Sequence, residues 1–355
     1  MRMRTVLITL AALFVLGCRT DADIVDQAPA SVVPLYFATN RALTGASAPD
    51  EFYGGKAGPL SFGQAEVSIP ANHQLGAIEA PSLFSLEVSA APDRHVVVRR
   101  VVPFDERTFL ARLQDSIQKS DEKALFVFVH GYNVDFAEAA RRTAQMANDL
   151  IWGGVALLYS WPSRGNADDY WSDEASAADS AADLEAFLEL IAAYSGAAKI
   201  HVVAHSMGNA PTLAALARHA DETASTGVPL IDELIMAAPD VDAKAFPELA
   251  RRAAPAARHL TLYVSEHDDA LKLSGSLHDN PRAGDASAGL LIVAGVDTID
   301  ASAVDSDIVG HSYYGENRQV LADIFNLLRS GQPPDQRFGL RPTTMNGKKY
   351  WIMRP

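Results

Sequence analysis

The chain has 355 residues, of which 48% are hydrophobic, and its 44 acidic and 30 basic residues give a formal net charge of −14 at pH 7. This length and composition are sufficient for one large domain with a substantial core. The negative charge argues against nucleic acid as a partner and against electrostatic attraction to anionic lipid. Because Cys18 is the only cysteine, an intramolecular disulfide is excluded.

The N-terminus has the pattern of a targeting segment. Arg2 and Arg4 precede an apolar run over residues 5–16, which is too short to span a bilayer as a helix. We therefore predict that residues 1–17 are a signal peptide and are absent from the folded domain.

The segment V-L-G-C, which ends at Cys18, resembles the lipobox of bacterial lipoproteins, in which the cysteine becomes the lipidated first residue. By the Gram-negative sorting rule, a residue other than Asp directly after the lipidated cysteine implies the outer membrane. Arg19 stands at this position, so we expect the protein on the periplasmic face of the outer membrane. We predict a lipid at Cys18, a tether over residues 18–31, and attachment to the membrane by the lipid anchor only. An ordinary cleaved signal peptide with a chance cysteine is the alternative.

Beyond the tether, the hydrophobic pattern changes twice. Residues 32–105 are rich in β-branched runs separated by Gly and Pro clusters, which predicts a β-rich N-terminal extension whose placement the sequence does not indicate. Residues 106–330 alternate apolar strands with helices, which predicts a mostly parallel, doubly wound α/β sheet covered on both faces. Residues 331–355 form a polar C-terminal tail with one predicted hairpin at Tyr350.

Within residues 106–330 the predicted elements follow one another at regular intervals. In chain order they are a strand at 124–129, a helix at 136–150, a strand at 155–159, a helix at 175–194, strands at 200–204, 230–237, 259–264 and 290–293, and a closing helix at 313–328. No internal repeat, zinc-ligand spacing or phosphate-binding glycine loop interrupts the series.

The segment I-H-V-V-A-H-S-M-G-N, residues 200–209, is the most informative in the chain. A β-branched run leads into Ser206, and apolar residues then repeat at helical spacing, which is the pattern of a nucleophile elbow. Small residues at Ala204 and Gly208 allow the strand and helix to pack closely around the turn. Ala204 stands where glycine is commoner, and a buried serine that caps a helix is the alternative interpretation.

A nucleophilic serine needs a base and an acid that orients the base, and in this fold they follow in the order Ser, acid, His. Asp268 lies just beyond the strand that is two after the elbow, and Asp240 and Asp269 remain as rivals for the acid. His311, in I-V-G-H-S-Y-Y-G, lies before the closing helix and is the predicted base, with His278 as a competitor.

The reaction also needs two N–H donors for the oxyanion. The first is predicted at Met207, directly after the serine. The second is predicted at Tyr132, after a strand that ends in His130-Gly131, where glycine allows the backbone to approach the substrate. A plain turn at the strand end is the alternative.

The polar segment 161–174 contains three aromatic residues and follows a strand end, so it should lie on the same rim as the elbow. We interpret it as a substrate-facing lid or wall. The alternative is a segment that leads into a helix and whose tryptophans pack on the sheet.

As a set, these motifs resemble a bacterial α/β-hydrolase family of unknown function within the esterase/lipase superfamily. The resemblance is carried by H-G-Y-N, S-W-P-S-R-G, H-S-M-G-N, A-P-D-V-D, S-E-H-D-D-A-L and G-H-S-Y-Y, with Y-F-A-T-N-R and S-F-G-Q-A-E-V-S-I-P upstream. It covers about residues 32–330. It implies an α/β-hydrolase fold, a triad of Ser206, Asp268 and His311, and neither a metal nor a cofactor.

These observations predict a serine hydrolase that forms an acyl-enzyme, with a carboxylic ester of a small molecule or lipid as the leading substrate. Two alternatives remain open: a non-catalytic envelope lipoprotein that uses the fold for binding, and an acyltransferase with the same triad.

Overall fold

The computed structural model describes residues 31–81, 90–223, 227–304 and 311–355. The predicted signal peptide, Cys18 and all but the last residue of the predicted tether lie outside these residues. Among the helices described, none is both long enough and apolar enough to cross a membrane.

Strands of the described residues form one eleven-stranded sheet in the order β10-β11-β9-β8-β7-β6-β4-β5-β1-β2-β3. The strands are β1 (Ser31–Leu43), β2 (Tyr53–Ile69), β3 (Val97–Phe104), β4 (Ala124–Val129), β5 (Val155–Ser160), β6 (Lys199–His205), β7 (Ile231–Ala237), β8 (Ala257–Val264), β9 (Asp297–Asp300), β10 (Leu340–Met345) and β11 (Lys348–Met353). The helices are α1 (Glu106–Lys119), α2 (Phe136–Asp149), α3 (Tyr170–Asp179), α4 (Ala181–Tyr194), α5 (Asn209–Glu222), α6 (Phe246–Ala253), α7 (Asp269–Leu277), α8 (Tyr313–Glu316) and α9 (Arg318–Ser330).

The central strand β4 is apolar and buried along its whole length because both faces of the sheet are covered there. In β4, Leu125 and Val127 face the core under α1, α4, α5 and α6, whereas Phe126 and Phe128 face the core under α2 and α9. Such continuous apolar strands are characteristic of a parallel sheet between two helical layers. The predicted α/β-hydrolase architecture is therefore confirmed.

The β-rich N-terminal segment continues the same sheet. Strand β1 pairs in parallel with β5, placing Tyr36 opposite Leu157, and β2 and β3 then add in antiparallel fashion. At the other edge the C-terminal hairpin adds β11 in parallel to β9. Its turn at Asn346 and Gly347 has positive φ at both residues, as a two-residue hairpin requires.

Two predicted helices are interrupted. The helix predicted at 175–194 is divided at Ser180, whose hydroxyl donates to the carbonyl of Ser176 (2.7 Å), a contact that bends helices. The closing helix is divided at Asn317, whose side chain accepts from the N–H groups of Gln319 and Val320 and so starts a new helix.

The strand predicted at 290–293 is wrong. These residues pack against the core as an irregular segment, and the chain turns at Gly295 (φ 82°) before β9 begins. The carbonyl of Leu291 accepts from the hydroxyl of Thr298, so the apolar run lies beside the strand that follows it. Hydrophobicity alone does not distinguish a buried irregular segment from a buried strand.

A half-buried histidine joins the loop after β2 to α2. His73 contacts Glu79 through Nδ1 (2.9 Å) and Asp149 through Nε2 (2.8 Å), and Asp149 also accepts from the N–H of Gly76 (2.6 Å). The hydrogen bond to Asp149, supported by that to Glu79, raises the pKa of His73 against the opposing effect of burial. The loop is thus held by a charge-assisted contact.

We expect His73→Gln to lower the free energy of unfolding by about 2 kcal/mol at pH 6 and by less at pH 9. Because the folded-state pKa of His73 is raised, its protonated form stabilises the fold fully below the unfolded value of about 6.5, and this contribution is lost as pH rises through the folded value. Urea denaturation at both pH values measures the difference. An equal loss at pH 6 and pH 9 would contradict this assignment.

Candidate active site

The turn between β6 and α5 is strained at Ser206, whose φ is +51°. A non-glycine residue in this region costs energy and needs support from its surroundings. That support comes from Asn209, whose side-chain Nδ2 donates to the carbonyls of Ser206 and Ala204 (both 3.1 Å). At Gly208 a Cβ atom would overlap the carbonyl oxygen of His130, so only glycine permits this close approach.

Ser206, His311 and Asp268 lie in one hydrogen-bonded line. The Oγ of Ser206 is 2.9 Å from Nε2 of His311, and Nδ1 of His311 is 3.0 and 2.9 Å from the two carboxylate oxygens of Asp268. Asp268 is fully buried and also caps α7 by accepting from the N–H of Leu271 (2.9 Å). The arrangement has the contacts of a nucleophile, base and orienting acid.

The carboxylates of the rival residues are engaged by other partners, although the backbone N–H of Asp240 donates to the carbonyl of Ser206 (3.1 Å). Asp240 accepts from Tyr170 and Ser274 and pairs with Arg282 at 2.9 Å. Asp269 pairs with Lys272 at the exposed start of α7. These contacts leave Asp268, among the three candidates, as the carboxylate that contacts His311.

The competing histidine, His278, is also engaged away from the serine. Its Nε2 contacts Glu174 (3.0 Å) and its Nδ1 contacts the carbonyl of Ser274 (2.9 Å). His311 is therefore the histidine that the fold brings to Ser206.

The two backbone N–H groups predicted as oxyanion donors belong to segments that flank the serine. Met207 is next to Ser206 at the start of a helical segment, where the first N–H groups lack intrahelical acceptors. Gly131 precedes Tyr132 and approaches the serine so closely that an added Cβ atom would lie 2.8 Å from the Cβ of Ser206. Both donors remain predictions, and the close approach is compatible with them.

The segment 161–174 packs behind the loop after β4. Trp161 is fully buried, stacks on the ring of His130 at 4.9 Å and donates from Nε1 to the His130 carbonyl (2.7 Å). Asp173 is also buried and accepts from the N–H of Asn133 (3.2 Å). Trp171, by contrast, is 55% exposed. These contacts indicate that segment 161–174 supports the loop after β4 and does not form a lid over the serine.

A cavity of about 520 Å³ opens beside His311 and His205. Apolar residues from both the N-terminal segment and the α/β region line it, namely Ile78, Ala80, Pro81, Val96, Phe128 and Tyr314. Charged side chains lie on its wall as well, namely Asp50, Glu138, Arg141 and Arg142. The N-terminal segment therefore contributes to the wall of the cavity beside His311.

Two further histidines near Ser206 are buried and neutral. Burial, reinforced by the nearby Arg41 guanidinium, lowers the pKa of His130 to about 3. Burial, reinforced by nearby His311, places the pKa of His205 well below its usual value. Each ring therefore carries one proton at neutral pH, and neither acts as an acid or base near pH 7.

We expect the acid limb of the kcat/KM profile for an ester substrate to follow a single ionisation. His130 and His205 stay neutral over the assay range, so neither adds an ionisation to that limb. In a plot of log kcat/KM against pH, measured from about pH 5 to 9, the slope on the acid side should approach one. A limiting slope of two would contradict this expectation. Stability must be checked in parallel, because buried neutral histidines destabilise the fold as pH falls below about 6.5.

Sequence reasoning did not identify three residues that the structure places around the serine. His205 approaches the carbonyl of His311 through Nε2 (3.0 Å) and packs against the His311 ring at 4.7 Å. Asn209 supports the elbow, and Arg41 contacts the loop after β4. All three residues lie within motifs that carried the resemblance. Nothing in those motifs indicated that these side chains are buried or which groups they contact.

Within the described ranges of the chain, no group of three or more His, Cys, Asp or Glu side chains is arranged to hold a metal ion.

A family model described as "Alpha/beta hydrolase of unknown function (DUF900)" matches residues 105–330. The match runs from the N-cap of α1 to the end of α9. No curated protein matches the sequence at a significant level.

Proposed function

Because the chain belongs to this family of alpha/beta hydrolases of unknown function, we propose that it is a serine hydrolase that cleaves carboxylic esters through an acyl-enzyme. The observation that carries the proposal is the line of contacts from Ser206 through His311 to Asp268, with heavy-atom distances of 2.9 to 3.0 Å. Activated nucleophiles are recognised by this geometry.

In the proposed reaction, Ser206 Oγ attacks the ester carbonyl carbon while Nε2 of His311 removes the hydroxyl proton. The carbonyl oxygen becomes an oxyanion, held by the N–H groups of Met207 and Tyr132. When the oxyanion collapses, the C–O bond to the alcohol breaks, and the alcohol leaves with the proton from His311. Asp268 holds the ring orientation and stabilises the imidazolium. Water then attacks the acyl-enzyme by the same steps and releases the acid.

The cavity beside His311 is the proposed site of the substrate. Its volume is within the usual range for small-molecule sites, and its apolar wall at Ile78, Val96 and Phe128 suits a hydrocarbon chain. Arg141, which contacts Asp50 at 3.0 Å and lies on the same wall, provides a polar boundary. We propose an ester with an apolar acyl or alcohol group, from a small molecule or a lipid.

We also propose that the enzyme is a lipoprotein of the outer membrane, anchored through Cys18. The support is the basic start at Arg2 and Arg4, the short apolar run and the V-L-G-C segment. A Cys18→Ser variant should move to the soluble fraction of cells. A variant that stays in the membrane fraction would contradict anchoring through Cys18.

Hydrolysis of p-nitrophenyl esters from acetate to palmitate tests the proposed activity. The form starting at Arg19 should turn over at least one ester, and Ser206→Ala should lower kcat by at least about 10⁴-fold. Ser276→Ala, at an exposed position on α7, is the matched control and should keep full activity. Turnover that survives in folded Ser206→Ala would contradict the proposal, and added alcohols that take the acyl group would show transfer instead.

A further inference from the structure

We propose that Arg41, contributed by the N-terminal strand β1, sets the tautomer of His130 and thereby orients the peptide group between Gly131 and Tyr132. This inference rests on the proposed function, because Tyr132 N–H is the second oxyanion donor there. Arg41 and His130 are positioning residues, since neither touches the reacting atoms.

Arg41 is buried at the end of β1 where the strand reaches the active-site edge of the sheet. The pairing of β1 with β2 shifts register on both sides of Arg41, and such irregularities redirect side chains. Its guanidinium donates to the carbonyls of Val134 (2.7 Å) and Ser163 (2.7 Å) and to the hydroxyl of Ser160 (2.8 Å). One strand outside the matched family region thus holds two loops of the site.

The same guanidinium faces His130. One terminal nitrogen of Arg41 lies 3.3 Å from Nε2 of His130, and Ser160 Oγ lies 3.1 Å from that ring nitrogen. A guanidinium can only donate hydrogen bonds, so Nε2 must be the acceptor. The carbonyl of Trp161, 3.2 Å from the same nitrogen, accepts from the N–H of Ser163 (2.8 Å) and has a second lone pair, so the shorter contact of Nδ1 with the carbonyl of Gly131 (2.8 Å) decides where the single ring proton sits.

With Nε2 as acceptor, the single ring proton of neutral His130 must sit on Nδ1. That nitrogen lies 2.8 Å from the carbonyl oxygen of Gly131 and donates to it. In a trans peptide the C=O and N–H point in opposite directions, so fixing the Gly131 carbonyl also fixes the Tyr132 N–H. The Arg41 guanidinium on β1 therefore determines the direction of the Tyr132 N–H in the loop after β4.

The residues after Tyr132 are held from the other side. Asp173 accepts from the N–H of Asn133 (3.2 Å) and from the hydroxyl of Ser163 (2.5 Å), and Ser163 in turn accepts from the N–H of Val134 (3.0 Å). Asn133 has a positive φ of 56°, which such contacts stabilise. The loop is therefore fixed at both ends, as a preorganised donor requires.

The test is a set of variants at His130 and Arg41 assayed with an ester. His130→Asn keeps a donor near the position of Nδ1 and should retain kcat within about 3-fold, whereas His130→Leu should lower kcat about 100-fold with little change in KM. Arg41→Met should also lower kcat, and by clearly more in the parent than in the His130→Asn background, where no tautomer needs fixing and only the contacts to Val134 and Ser163 are lost. Two merely structural roles would combine additively. Additive losses in this cycle would overturn the proposal.

Arg337→Met is the matched control. Arg337 is an equally buried arginine that contacts Asp323 at 3.3 Å, so its loss should lower stability without changing kcat. If Arg337→Met lowers kcat as much as Arg41→Met does, the effect of Arg41 is general destabilisation and the proposal fails. Should Arg41→Met not fold, the tautomer of His130 in the parent protein, measured as follows, decides alone.

A second readout does not depend on activity. Nitrogen-15 NMR of labelled histidine, with His130 assigned by its loss in His130→Asn, reports which ring nitrogen carries the proton. The proposal requires Nδ1–H in the parent and a change in Arg41→Met. Nε2–H in the parent would overturn it. The Nδ1–H tautomer in a protein that hydrolyses no ester would support the positioning role and count against the proposed function alone.

Discussion

Asp268→Asn is expected to lower kcat by about 10³ to 10⁴-fold while the protein stays folded. The carboxylate of Asp268 contacts Nδ1 of His311 through both oxygens, and it is buried where water cannot replace it. An amide in its place cannot stabilise the imidazolium and can hold the ring in the wrong tautomer. Asn still caps α7 at Leu271, so the helix should persist. Ester turnover and thermal unfolding of the same sample measure the two effects.

Asp240→Asn is the matched control, and the opposite pattern is expected for it. Asp240 forms a buried ion pair with Arg282 and accepts from Tyr170, so its neutralisation should cost about 3 to 5 kcal/mol of stability. The folded fraction should keep kcat within a few-fold. A larger loss of kcat in Asp240→Asn than in Asp268→Asn would show that the acid is wrongly assigned.

Gly131→Ala is expected to lower kcat by about 10² to 10³-fold, the usual loss when one oxyanion donor is displaced. An added Cβ atom would lie 2.8 Å from the Cβ of Ser206 and 3.0 Å from Nδ1 of His205. Both neighbours are held by their own contacts, so the loop that carries Tyr132 must move instead. KM should change much less than kcat, because the donors act mainly on the transition state.

Gly275→Ala provides the comparison for that substitution. Its added Cβ atom would also be crowded, at 3.1 Å from the carbonyl oxygen of Asn280, but this contact lies at the end of α7. We expect kcat to stay unchanged, because this contact is remote from Ser206 and its neighbours. If both alanine variants lose kcat equally, crowding at Gly131 acts through general destabilisation and not through the oxyanion loop.

Local pattern predicted most of the fold because the central strands are short, apolar and separated by helices of clear periodicity. The alternation within residues 106–330 was sufficient for the sheet and its two helical layers. It failed where a polar side chain interrupts a helix, as at Ser180 and Asn317, since those contacts depend on residues distant in sequence or on local capping. It also misplaced the strand near residue 290 because a buried irregular segment and a buried strand have the same composition.

The candidate site, like the fold, could be predicted from the sequence only in part. The order of Ser206, Asp268 and His311 along the chain could be predicted, because the fold family prescribes the strands that carry such residues. The role of Arg41 could not, since it depends on β1 lying beside β5, and the sequence does not state strand order. The same reason hid the contribution of Ile78 and Val96 to the cavity.

Covalent labelling with a fluorophosphonate tests the central claim, that Ser206 is an activated nucleophile, without requiring the natural substrate. The intact mass of the parent should increase by one phosphonyl group, peptide mapping should locate it at Ser206, and Ser206→Ala should remain unlabelled. A parent that stays unlabelled, or that carries the group on another residue, would contradict the account.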